Sequence, residues 1–184
     1  IRGLVAIVAS VAVISSSLIA SAPAQAASKD LTIGLTLDID KLDPQGATSF
    51  ATVRALGLVY GSLVEVGPKL DIRSGLARYW GFNAEGTQLR LHLRKGVKFQ
   101  DGSTFDAEDV KASLERILDP ANKAAARSNI LCIKSIEASG LKVVLNLTTP
   151  NVAILAALDG VNMSMLSSND IKAGTIGKTV NGTG

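Results

Sequence analysis

One cysteine, one histidine and one tryptophan stand in 184 residues, with two tyrosines and five prolines. The single thiol, Cys132, excludes an intrachain disulfide and a cysteine-rich zinc module. The single histidine, His92, excludes a histidine-rich metal site within this chain. No block of five like charges occurs. The 19 Lys and Arg against 16 Asp and Glu leave a net charge of only +3, without the clustered basic face of a nucleic-acid binder. There is no G-x-S-x-G nucleophile elbow. Gly177-Lys178-Thr179 is not a phosphate loop, because Lys172 stands where that pattern needs glycine. These absences leave no catalytic residue, cofactor site, metal site or nucleic-acid partner to assign. What is present is apolar: 47% hydrophobic against 19% charged residues, a globular composition and not a disordered one. The length fits one domain or a little more.

Residues 1–26 hold no acid and one charge, Arg2, so the remainder carries +2. Leu4 to Ala9, Val11 to Ile14 and Leu18 to Ala20 form an apolar stretch, broken by Ser15-Ser16-Ser17 and ended by Pro23. Ala24-Gln25-Ala26 places small residues where a signal peptidase reads. A basic start, an apolar stretch and an A-x-A site describe a secretory signal peptide, cut between Ala26 and Ala27. The alternative, an uncleaved anchor, needs an uninterrupted run of about 20 residues. No cysteine stands at the cut for lipid attachment. The chain starts without an initiator Met and stops in Asn181-Gly182-Thr183-Gly184, a turn-like string. It therefore reads as the N-terminal piece of a longer exported protein.

The rest alternates strand and helix signals. Leu31, Ile33, Leu35 and Leu37 have period two, a first strand. Asp43-Pro44 is a turn. Thr48 or Ser49 can cap a helix running Phe50, Val53, Leu56 or Gly57, and Tyr60. Leu63 to Val66 is a short strand. Leu89, Leu91 and Leu93 make a strand with one wet face, turned by Lys95-Gly96 and continued by Val97 to Phe99. Asp106 caps a helix with Glu108 and Asp109 at its positive end and Val110, Leu114, Ile117 and Leu118 as its stripe. Pro120 stops it. Ile133 to Ala138 and Leu141 to Leu147 flank Ser139-Gly140 as a hairpin. Val152 to Leu158 is a short helix. The fold class is α/β, an α+β mixture, without internal repeats.

The stretch from Leu93 to Val110, L-R-K-G-V-K-F-Q-D-G-S-T-F-D-A-E-D-V, resembles the signature of the family 5 extracellular solute-binding proteins, the peptide, nickel and opine receptors of ABC importers. Four further pieces agree in order. Leu42-Asp43-Pro44 follows the first strand. Val59 to Glu65 resembles the family's "YEGLVE". Gly75 to Trp80 resembles "P-x-LA-x-SW". Asn181 to Gly184 resembles "P-V-GTG-P-Y". The resemblance spans Leu31 to Gly184. Three positions depart from it: Ser74-Gly75 replaces the usual Pro, Tyr79 replaces Ser before Trp80, and Gln100 replaces His before Asp101-Gly102.

The resemblance implies a periplasmic-binding-protein-like fold of type II. Residues 27–184 would be part of lobe one, holding the first strand of the main subdomain and most of the second subdomain. It implies a periplasmic, monomeric receptor that captures a small solute, most readily a peptide, between two lobes for ABC permease subunits. An exported sensor or enzyme reusing this fold is the alternative, as is a stand-alone structural domain. In the family, the loop after Leu-Asp-Pro meets the ligand, which singles out Thr48, Ser49 and Phe50. A helix N-terminus offers free N–H groups and an aromatic offers apolar area. The competing reading is a capping turn with Phe50 in the core. Asp101, Asp106, Glu108 and Asp109 could hold a cation, but a turn followed by a capped helix accounts for them. Tyr79 and Trp80 are expected in the core, His92 on the surface without a partner, and Cys132 as a small buried hydrophobe.

Overall fold

Hydrophobic alternation on β4, Gln88–Leu93, organises the molecule: Leu89, Leu91 and Leu93 are buried while Arg90 faces outward. In the computed structural model, which describes residues 32–34 and 36–184, β4 lies between two partners. On one side is β3, Ala77–Phe82; on the other is β6, Lys142–Leu147, followed by β5, Ile133–Ser139. All neighbours in this sheet are antiparallel, in the order β3-β4-β6-β5. Gly140 makes the β5–β6 turn at φ 57°, a conformation that costs glycine nothing. A two-stranded ribbon, β1 (Val64–Val66) with β2 (Ile72–Ser74), precedes the sheet. Residues 35–184 make one compact unit.

One face of the sheet is covered by α2, Ala107–Leu118. Asp106 and Asp109 form its capping box: the Asp106 side chain accepts from Glu108 N at 2.8 Å, and Asp109 accepts from Asp106 N at 3.0 Å. Val110, Leu114 and Ile117 are fully buried against the sheet, with Phe105 beside them. The four-residue helix α3, Ile154–Ala157, closes the same core. A second, smaller core gathers Ala47, Leu56, Tyr60 and Leu166. It joins α1, Phe50–Leu56, to the segment before α4, Ser168–Ala173.

Several expectations are corrected. Among the described residues between 32 and 38 there is no strand, and Ile33 and Leu37 are 57% and 65% exposed. A strand persists only when paired, and among the described residues none pairs with this segment. Leu31 and Leu35 fall outside the described residues, as does the expected signal peptide over 1–26. Val97 to Phe99 is no strand continuation but a single bridge, Lys98 to Thr104. Tyr79 is not in the core: it is 55% exposed on the outer sheet face, stacked on His92 at 4.3 Å, so His92 has a partner after all. Trp80 packs half-buried against the core, and Cys132 does likewise.

Candidate functional site

Leu42-Asp43-Pro44 opens a turn whose base is unusually well held. Pro44 to Gly46 forms a single 3-10 turn, and the Asp43 side chain caps it by accepting from Gln45 N at 3.0 Å. Arg116 of α2 donates to both Asp43 oxygens, at 2.6 and 3.3 Å. Such a two-pronged pair fixes geometry as well as charge. Gln45 is fully buried. Its amide donates to the carbonyls of Ser113 and Ser164, and its oxygen accepts from Arg116 at 2.7 Å. Asn162 donates to the carbonyls of Pro44 and Ala47, at 2.9 and 2.8 Å. Ser113, also fully buried, both accepts from and donates to the Leu166 backbone. The Asp43 and Gln45 side chains at the base of this loop are therefore tied to α2 and to the segment 161–166.

The tip of the same loop is open. Thr48 is exposed, Ser49 is half-buried, and Phe50 is 86% exposed. The core reading for Phe50 is thereby overturned: the buried face of α1 is Ala51, Thr52 and Leu56, and Phe50 points off it. The expected capping by Thr48 or Ser49 is also corrected. Ser49 occupies the N-cap position but its hydroxyl caps nothing. Instead the buried Thr52 hydroxyl donates to Asp40, which holds that carboxyl below its ordinary value.

A second cluster pins the C-terminal turn. The Asn181 amide donates to Asp170 at 2.7 Å and Asp101 at 3.2 Å, and its oxygen accepts from Asp101 N. Tyr60 accepts from Asn181 N, and burial pushes the Tyr60 hydroxyl above its ordinary value. Gly182 sits so close that a Cβ there would run into the Val59 carbonyl. The carboxylates at 101–109 are likewise occupied with N–H groups. Asp101 accepts from Ser103, Asp106 from Glu108, and Asp109 from both Asp106 and Ser168. This is the turn and the capped helix, with the Glu108 carboxylate exposed.

Two of the clefts among the described residues are the larger ones. One, of about 440 Å³, runs beside Arg116 along Glu115, Asp119, Ile171 and Ile176. The other, of about 510 Å³, opens over Arg78, Tyr79, His92, Lys95 and Lys142. Neither includes Thr48, Ser49 or Phe50. Among the described residues no helix is long and apolar enough to cross a membrane.

This architecture is that of periplasmic binding proteins. Residues 71–184 match the family model described as "Bacterial extracellular solute-binding proteins, family 5 Middle". The chain belongs to the family 5 bacterial extracellular solute-binding proteins. It is 30% identical over 122 residues to the glutathione-binding protein GsiB of Escherichia coli strain K12, covering 65% of this chain and 24% of that protein. The solved structure of AgaA from A. tumefaciens R10, in complex with agropinic acid, is 30% identical with a TM-score of 0.74. It covers 80% of this chain and 30% of that one. The periplasmic binding protein DppA of Helicobacter pylori, with the peptide STSA, is 28% identical with a TM-score of 0.69. It covers 80% of this chain and 34% of that one. The chain thus spans about a quarter of the length of the curated relatives it matches. The proteins it resembles are binding proteins.

Proposed function

We propose that this chain is the N-terminal part of the solute-capturing component of an ABC importer. It takes up a small solute, most readily a peptide, and hands it to permease subunits in the inner membrane. The family supports the class, and a peptide-bound structure at 28% identity supports the ligand. In this reading residues 1–26 are a leader removed after Ala26, and the mature protein works in the periplasm as a monomer. Residues 27–184 then supply part of lobe one, and the segment 31–37 becomes a strand when strands of the main subdomain pair with it.

The observation that carries the site is the contrast between base and tip. Gln45, Asp43 and Arg116 hold the loop rigid, while Thr48, Ser49 and Phe50 stand free at its end. A fixed loop presents its aromatic without first having to be ordered, which is what pre-organised binding requires. Phe50 offers apolar area to a ligand side chain, and Thr48 and Ser49 offer hydroxyls. The test is calorimetry of the full-length exported protein with a mixed di- and tripeptide pool, and separately with reduced glutathione. Phe50→Ala should weaken binding of whichever solute binds about tenfold or more, with unchanged melting. Unchanged affinity would remove the loop tip from the site.

A further inference from the structure

The outer sheet face carries a feature that the capture of solute does not use. Arg78, Lys95 and Lys142 line one open cleft of about 510 Å³, with Tyr79 and His92 on its floor. An adjoining depression of about 400 Å³ adds Arg94 to Arg78 and Lys95. These cations come from the start of β3, the end of β4 and the start of β6, which the antiparallel register brings to one end of the sheet: Tyr79 lies opposite His92, and His92 opposite Lys142. No carboxylate lines either cleft. Glu137 lies further along the sheet, opposite Val144, and is held by Asn146. Arg94 donates to Ser74 and Gly75. The side chains of Arg78, Lys95 and Lys142 are exposed and make no hydrogen bond or ion pair among the described residues.

One aromatic shares this face: Tyr79 of β3, opposite His92, while Trp80 and Phe82 on the same strand lie opposite Leu91 and Leu89 and pack against the core. Among the described residues this strand is an edge of the four-stranded sheet. Tyr79 is the residue by which this chain departs from its family's usual Ser. Uncompensated cations around the half-exposed Tyr79 on a broad, shallow surface match the chemistry of a lipid headgroup layer. There, phosphates meet the cations while amphipathic rings settle at the polar–apolar boundary. A discrete small anion would call for an enclosed, convergent site, and the clefts on this face are open.

We infer that the face formed by Arg78, Tyr79, Lys95 and Lys142 docks the protein on an anionic phospholipid surface. It would do so reversibly, keeping the protein near the leaflet. The inference does not depend on which solute is carried.

The experiment is sedimentation of the full-length exported protein with phosphatidylcholine vesicles, with and without roughly 30% phosphatidylglycerol, at about 0.1 M and 0.5 M salt. Expected is binding to the anionic vesicles only, lost at the higher salt. The triple variant Arg78→Gln, Lys95→Gln, Lys142→Gln should lower partitioning on the order of a hundredfold with unchanged melting. If that variant fails to fold, Lys95→Gln and Lys142→Gln singly should each cost roughly fivefold. Equal binding to neutral vesicles, or variants that bind as the native protein does, would overturn the inference. So would displacement from vesicles by millimolar glycerol phosphate, which would show a discrete phosphate site instead.

Discussion

Gln45 illustrates what one residue contributes. It is uncharged and polar, and nothing in its neighbourhood in the sequence marks it. Yet it is fully buried, with three partners on two distant segments. Gln45→Leu keeps the volume and removes all three bonds, leaving the Ser113 and Ser164 carbonyls and an Arg116 N–H without their partner. Buried groups left unsatisfied cost about 1–3 kcal/mol each at most, and Arg116 keeps Asp43. A total loss of about 2–3 kcal/mol is expected, read by urea unfolding. Asp106→Ala is milder. Its side chain caps only the first turn of α2, so about 1 kcal/mol should be lost, with solute affinity in the full protein untouched. If affinity fell instead with melting unchanged, the carboxylates at 101–109 would have a role in binding.

At the scale of elements, the strands and helix with strong periodicity were legible. The alternation in β4, the Ser139-Gly140 hairpin and the stripe on α2 need only local spacing, and the structure has all three. The expected strand at 31–37 has the same alternation, yet its described residues form no strand, because alternation selects a face but cannot supply a partner. β3 and α4 were not legible. β3 has little alternation to read, since the bulge between Ala77 and Tyr79 leaves Arg78 and Tyr79 both exposed before the alternation resumes over four residues. At the candidate site, the resemblance pointed to Thr48, Ser49 and Phe50. It did not point to the base of the loop, which depends on contacts some 70 to 120 residues away.

The C-terminal turn gives this scale its pH prediction. Hydrogen bonds from Ser103, and then from Asn181, hold the Asp101 carboxyl below its ordinary value near 3.8. A folded-state value below the unfolded one stabilises the fold above the unfolded value, and that contribution is lost as pH falls through the folded one. The turn at 181–184 should therefore loosen on acidification below about pH 3.8. Hydrogen exchange at the Gly182 and Gly184 amides would report it. Asp101→Asn should flatten that dependence, and an unaltered profile in the variant would place the acid sensitivity elsewhere.

For the molecule as a whole, the proposed two-lobe capture predicts that residues 27–184 alone bind no solute with useful affinity. A ligand held by one wall keeps only part of its contacts yet loses its translational and rotational freedom, at a cost of about 4 kcal/mol or more. Forfeiting a further 4 kcal/mol or so of contacts weakens binding on the order of a thousandfold. Calorimetry of this piece beside the full-length protein, on one peptide pool, checks it. Comparable affinities would point to a self-contained binding module.

The clasp at residues 181–184 also sets a clock. Gly184 N donates to the Val59 carbonyl, and Asn181 reaches back 80 residues to Asp101. Contacts of such separation form late, because a long loop must close before they reward it. At about 5–20 residues per second of synthesis, Gly184 follows Val59 by on the order of ten seconds. Throughout that interval the small core around Leu56 and Tyr60 lacks its closing turn. If the chain is exported as proposed, it gains from such a delay, since the contact between Gly184 and Val59 cannot be made until residue 184 has been added.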